Sequence, residues 1–261
     1  SLGFGISWQR MEAEYDRVVG VNSAPITGVT PFPLNTSKAI FNGDDDSWGW
    51  NVGALFRISP ATKVGVSYRS AIKHTLDGDL RVDGPYAPLN AASTSPASAE
   101  IKLPDTFILS VSQMLDDRWE MLGDISWTGW STVNKVDVVR NSGVLAQRLD
   151  TEFRDTWRVA FGANYKYSDT LKLKYGIAYD QAPIKDTQHR LVSLPDNNRL
   201  WLSVGAQWKP SKETALDLGL AYLYVKDSDI ENNQASALRG LVKGTYEDSA
   251  WLLGAQYSIQ F

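Results

Sequence analysis

The sequence predicts an all-β fold, a transmembrane antiparallel up-and-down β-barrel, and three observations point to it. Apolar and polar or small residues alternate with a period of two in segment after segment. The connections between those segments alternate between short and long. Aromatic rings gather near the segment ends, at Trp48, Trp50, Trp119, Trp127, Trp157, Trp201, Trp208 and Tyr257, as interfacial girdles require.

Ten strands are expected. The first is "LGFGISW", followed by "WGWNVGALFRI", "KVGVSYRSAI", "TFILSV" and "RWEMLGDISW". The sixth, "TWRVAFGANYKY", sets Trp157, Val159, Phe161, Ala163, Tyr165 and Tyr167 against Arg158, Ala160, Gly162, Asn164 and Lys166. In "LKLKYGIAY" the apolar face runs from Leu171 to Tyr179 and the other carries Lys172, Lys174 and Gly176. "RLWLSVGAQW" and "ALDLGLAYLY" continue the theme. "AWLLGAQYSIQF" closes it, with Trp251, Leu253, Tyr257 and Ile259 opposed to Gly254, Gln256 and Ser258. Turn-forming residues fill short links at 59–62, 115–117, 168–170 and 210–213. Long outer loops are expected at about 18–46, 78–100, 141–152, 181–196 and 227–241, all within one domain covering 1–261.

Composition excludes several classes. The 261 residues contain no cysteine, so neither a disulfide framework nor a thiolate site is available. With 26 basic and 30 acidic residues interspersed, the net charge of −4 offers no basic stripe for nucleic acid. No apolar run reaches the roughly eighteen residues of a spanning helix. The chain opens in mid-pattern, which leads us to expect further residues upstream. A soluble β-sandwich competes with the barrel, because it too would show alternation and could expose its lysines to water. The loop rhythm favours the barrel, since an up-and-down sandwich has no need of it.

Five stretches carry a resemblance to a known family: "WGWNVGALFRISPATKVGVSYRSAIKHTLDGD", "DISWTGWS", "FRDTWRVAFGANYKYSDTLKLKYGIAYDQAPI", "LPDNNRLWLSVGAQW" and "YEDSAWLLGAQYSIQF". They resemble the FadL family of outer-membrane long-chain fatty acid transporters. The resemblance implies a fourteen-stranded barrel plugged by an N-terminal hatch, of which about ten strands are present here and the hatch and first four strands are not. It implies passive uptake of long-chain fatty acids or similar hydrophobic molecules across a bacterial outer membrane, without enzymatic activity or a cofactor. The partners it implies are a hydrophobic small molecule, outer-membrane lipid and lipopolysaccharide. A monomer is expected. Terminal Phe261 resembles the C-terminal aromatic by which such barrels are recognised for assembly.

The resemblance also implies site residues. Arg17, at the outer end of the first strand, matches a basic residue that holds the ligand carboxylate, and parity from Gly3, Gly5 and Ser7 places it on the lumen side. A second basic residue matches "AQRLDTEF". Extending the inward parity of Arg158 and Asn164 selects Arg148 over Leu149. The alternative is that both arginines simply pair with Asp16, Asp150 or Glu152. The apolar loop residues Val21, Ile26, Val29, Phe32, Leu34, Ile40 and Phe41, with Tyr86 and Leu89, match the outer groove that first captures substrate. They could instead pack the loop into a compact cap.

Other chemistries fit poorly. "DDD" at 44–46 and "DGDLRVDG" at 77–84 lack the spacing and terminal glutamate of a calcium loop, so no metal is expected. The two histidines, His74 and His189, fall on different connections, and there is no nucleophile elbow for a hydrolase triad. Two alternatives to fatty acid uptake remain: uptake of uncharged hydrocarbons by the same fold, and an open diffusion pore or structural barrel.

Overall fold

A computed structural model describes residues 1–19, 36–85, 87–235 and 240–260, except for the side chain of Leu89. Ten of its strands are those the alternation predicted. They are β1 (Leu2–Val18), β2 (Lys38–Arg57), β3 (Thr62–Arg69), β6 (Thr106–Met114), β7 (Trp119–Thr128), β10 (Thr156–Lys166), β11 (Leu171–Asp180), β12 (Arg199–Trp208), β13 (Thr214–Val225) and β16 (Ser249–Ile259). All pair antiparallel, in the order β1-β2-β3-β6-β7-β10-β11-β12-β13-β16, to make one curved wall. Among the described residues no pairing joins β1 to β16.

Register keeps the two faces of the wall separate. Phe161 lies opposite Ile177 and Gly123, while Gly162 lies opposite Gly176 and Leu122. The apolar parity is the outward one: Leu2, Phe4, Ile6, Phe161, Trp251, Leu253 and Tyr257 are all exposed. A soluble protein would bury that set, so the wall is built for lipid. On the other face, polar side chains satisfy one another across strands. Glu120 accepts from Ser112 and Asn164 at 2.7 and 2.9 Å, and Asp217 accepts from Lys174 and Gln207 at 2.7 and 3.0 Å.

The remaining strands belong to the outer segments. They are β4 (Ile72–Asp83), β5 (Ser95–Leu103), β8 (Lys135–Arg140), β9 (Leu145–Asp150), β14 (Ser228–Asn233) and β15 (Leu241–Tyr246), with one short helix, α1 (Ala87–Ser93). Beyond the membrane β2 changes partner: Asn51 to Arg57 pair with β3, whereas Lys38 to Asp44 pair with β4. Strands β5, β8 and β9 continue from β4, so the same sheet extends above the wall as an outer sheet. Its inner face holds a small core of Phe41, Leu76, Leu80, Ala97, Ala99 and Val138, against which Met11 and Ala13 pack. Gly78 is required here, since a Cβ at this position would collide with the carbonyl oxygen of Asn42 on the adjoining strand.

This outer sheet corrects the expected loop at 18–46. Strand β1 runs on to Val18 and β2 already begins at Lys38. Within it Asp44 and Asp46 stand on the outward face of β2, opposite Glu12 and Arg10, while Phe41 is buried on the inner one. Residues 78–100 and 141–152 likewise contain strand as well as turn. Residues 141–144 form the tight turn of the β8–β9 hairpin, with Gly143 at φ 81.

Candidate functional site

The lumenal face of the wall ends at its outer mouth in a row of charges that register alone assembles. Arg158 on β10 lies opposite Asp180 on β11, and Asp180 lies opposite Arg199 on β12. Arg158 donates to Asp124 of β7 at 2.9 Å. Arg199 forks onto Asp196 at 2.9 and 2.5 Å and stands 3.5 Å from Asp180. Two guanidinium groups and three carboxylates thus form one network, with each arginine already compensated.

Apolar residues from the outer segments roof this row. Val133, Phe153 and Ile184 are buried together, with Trp130 packed edge-on to Phe153 at a centroid distance of 6.0 Å. Trp130 is held by the short turn Trp130–Thr132. The Ser131 hydroxyl and amide donate to Asp155, which keeps that carboxyl below the usual carboxylate range. Residues 181–198 close the other side: Gln181 donates to the Trp157 carbonyl, Ala182 to the Asn198 side chain, and Arg154 to the Pro183 carbonyl. Between roof and row lies a cavity of about 570 Å³, apolar at Trp130, Phe153, Ile184 and Leu194 and charged at Arg158, Asp180 and Arg199. Its size and mixed lining suit a small amphiphile. A comparable apolar hollow lined by Phe161, Ile177, Leu202 and Leu220 lies on the outward, lipid-facing side.

The residues expected from the sequence fall differently. Arg17 lies on the inner face of β1, the parity shared by Met11 and Ala13, and its Nη2 reaches the Ala146 carbonyl at 3.5 Å. Arg148 lines a cavity of about 410 Å³ with Gln188, His189 and Asn232 of other outer segments. It lies opposite Asp137, on the face away from Val138 and the inner core, and its Nε and Nη2 are clamped on Asp137 at 2.6 and 2.9 Å. The alternation could not be carried from β10 back to β9, because the connecting segment leaves strand geometry. Thr151 and Glu152 both donate to the Asn134 carbonyl, and Glu152 takes φ 40. Phe41 and Ile40 are buried in β2, not displayed in a groove. Val21, Ile26, Val29, Phe32, Leu34, Tyr86 and Phe261, and the side chain of Leu89, lie outside the described residues.

Sequence reasoning placed Arg158 on the lumenal face but did not name it, Arg199 or the three aspartates as site residues. The available signal was modest: "DTWR", "AYDQ" and "PDNNRLW" each set a charge at the outer end of a strand on the lumenal parity.

Comparison with known proteins agrees with this architecture. Residues 1–261 match the family model described as outer membrane protein transport protein (OMPP1/FadL/TodX). The long-chain fatty acid transport protein of Escherichia coli (strain K12) is 27% identical over 236 residues, 87% of this chain and 51% of that one. The chain spans about half the length of the curated relatives it matches. A crystal structure of a Pseudomonas aeruginosa FadL homologue superposes with a TM-score of 0.84 at 22% identity, covering 99% of this chain and 64% of that one. The Ralstonia pickettii toluene transporter TbuX superposes at 0.62 and 14% identity, covering 99% and 62%. At such identities the superpositions establish the fold, a wall of an outer-membrane β-barrel.

Proposed function

The chain belongs to the outer-membrane transport family that includes FadL and TodX, and from that premise we propose that it serves the passive uptake of long-chain fatty acids or similar hydrophobic molecules across the outer membrane. The observation that carries this reading is the two-sided cavity. Its apolar roof takes a hydrocarbon tail, with each buried methylene contributing roughly 0.8 kcal/mol. Its arginine row meets a carboxylate head. Arg158 and Arg199 take the role first given to Arg148, and Arg17, inward-facing near the top of β1, is kept as a second cation along the entry path. A carboxylate entering the row competes with Asp124 or Asp196 for a guanidinium, which makes binding exchangeable, as transport needs. No bond is made, and the gradient of hydrophobic solute drives the flux.

A second reading has an observation of its own. Both arginines are already compensated by aspartates, so an uncharged hydrocarbon finds an electrically quiet wall. The toluene transporter named above lends it support. Oleate and oleyl alcohol, which share a tail and differ in charge, separate the two readings in a direct binding measurement. At least tenfold tighter binding of oleate is expected. Equal affinity, with toluene displacing both, would remove the carboxylate role and leave the hydrocarbon reading. Large ohmic steps in a planar-bilayer recording would remove both in favour of an open pore.

A further inference from the structure

The outward face of the outer sheet carries a cationic cluster that the uptake pathway does not use. Lys73 on β4 lies directly opposite Lys102 on β5. Their strands turn away from the wall just above the last membrane pair on this side, Arg69 with Thr106. The two lysines therefore stand less than about 10 Å beyond the lipid-facing surface. The Ser47 hydroxyl donates to the Lys73 carbonyl at 2.7 Å, tying the base of β4 to β2. Both side chains point outward: the inward parity of these strands belongs to His74, Leu76, Ala97 and Ala99, all buried.

Two like charges directly opposite on a sheet repel one another. Glu100 relieves only one of them, bridging to Lys73 at 2.7 Å, and no ion pair reaches Lys102 among the described residues. Lys135 on β8 adds a third ammonium to the same groove, which measures about 530 Å³. Lys135 is bridged at 3.2 Å to Asp137, which Arg148 also holds. Cations placed at headgroup depth face the anionic layer of the outer leaflet.

We propose that Lys73 and Lys102, supported by Lys135, bind a phosphate borne by a headgroup of the surrounding outer-leaflet glycolipid. A phosphate monoester carries close to two negative charges at neutral pH and fits between two ammonium groups that otherwise repel. The inference rests on the membrane placement of the wall and is independent of the transported substrate, so failure of the uptake reading leaves it standing.

The test uses the protein extracted from outer membranes and reconstituted in phosphatidylethanolamine nanodiscs, titrated with phosphorylated lipopolysaccharide. Folding of each variant is checked by heat-dependent gel mobility. K73Q/K102Q is expected to lower lipopolysaccharide affinity at least tenfold, and K102Q alone at least threefold. K73R/K102R is expected to stay within threefold of the parent. Lipopolysaccharide stripped of phosphate should bind the parent no better than it binds K73Q/K102Q. Unchanged affinity in folded K73Q/K102Q, or equal binding of stripped and phosphorylated lipid, overturns the site. Inorganic phosphate binding alone as tightly as the lipid overturns the lipid source.

Discussion

Leu220 and Gly219 are neighbours on β13 whose side chains leave opposite faces of the wall, so an arginine at each tests the inside–outside assignment. Leu220 is six residues from Thr214 and five from Val225. In a strand tilted by about 40° and rising roughly 3.3 Å per residue, this puts Leu220 near the middle of a band of about 25 Å. It is flanked by Val204 and Leu253 and lies on the outward parity. An arginine there costs about 2–4 kcal/mol, roughly a thirty- to several-hundred-fold shift in the folding equilibrium. Gly219 sits in a glycine row, opposite Gly205 and Gly254, and a Cβ built on it meets nothing within 4 Å. An arginine at Gly219 has room and water, and should cost less than about 1 kcal/mol. Urea unfolding in lipid vesicles, followed by tryptophan emission, measures both variants against the parent. A larger loss for G219R than for L220R would show that the apolar face is the inner one, and the membrane assignment would fall.

Three further outcomes follow from the outer segments. Phe41→Ala should destabilise the sheet of β4, β5, β8 and β9 by about 3–5 kcal/mol through a core cavity, seen as faster amide exchange in those strands; loss of substrate capture with exchange unchanged would return Phe41 to the capture groove. Asp155 is depressed first by the Ser131 side chain and then by its backbone amide, so its folded form gains stability that is fully present above the ordinary carboxylate range and lost as pH falls through its lowered value. Accordingly, the emission of Trp130, isolated by comparison with Trp130→Phe, should change below about pH 4 in the parent and lose that transition in Asp155→Asn; an identical acid transition in both would remove Asp155 as the anchor. Arg148→Ala should leave oleate affinity within twofold, because its guanidinium points away from the inner core and is occupied by Asp137; a tenfold drop in isothermal titration would restore the original assignment of Arg148 to the ligand.

Much of the wall was legible because lipid and lumen impose opposite chemistries on alternate residues. Phe161 and Gly162, or Leu253 and Gly254, announce their faces without any partner being known. The outer sheet was harder to read. Around Asp44 and Asp46 charges stand on one face while Phe41 is buried on the other, and such charges resemble a loop until the strand they pair with is found. Arg148 shows a second limit: parity holds only along an unbroken strand, and the departure at Thr151 and Glu152 resets it.

The sequence by itself determined the number of spanning strands, their two faces, the short turns and the membrane class, since each is a property of a few consecutive residues. Only the tertiary structure decided which charges meet. Arg158, Asp180 and Arg199 are separated by 22 and 19 positions along the chain and become one row through the register of β10, β11 and β12. Register is a relation between strands, fixed by hairpin geometry and by the fit of whole faces, and no single segment contains it.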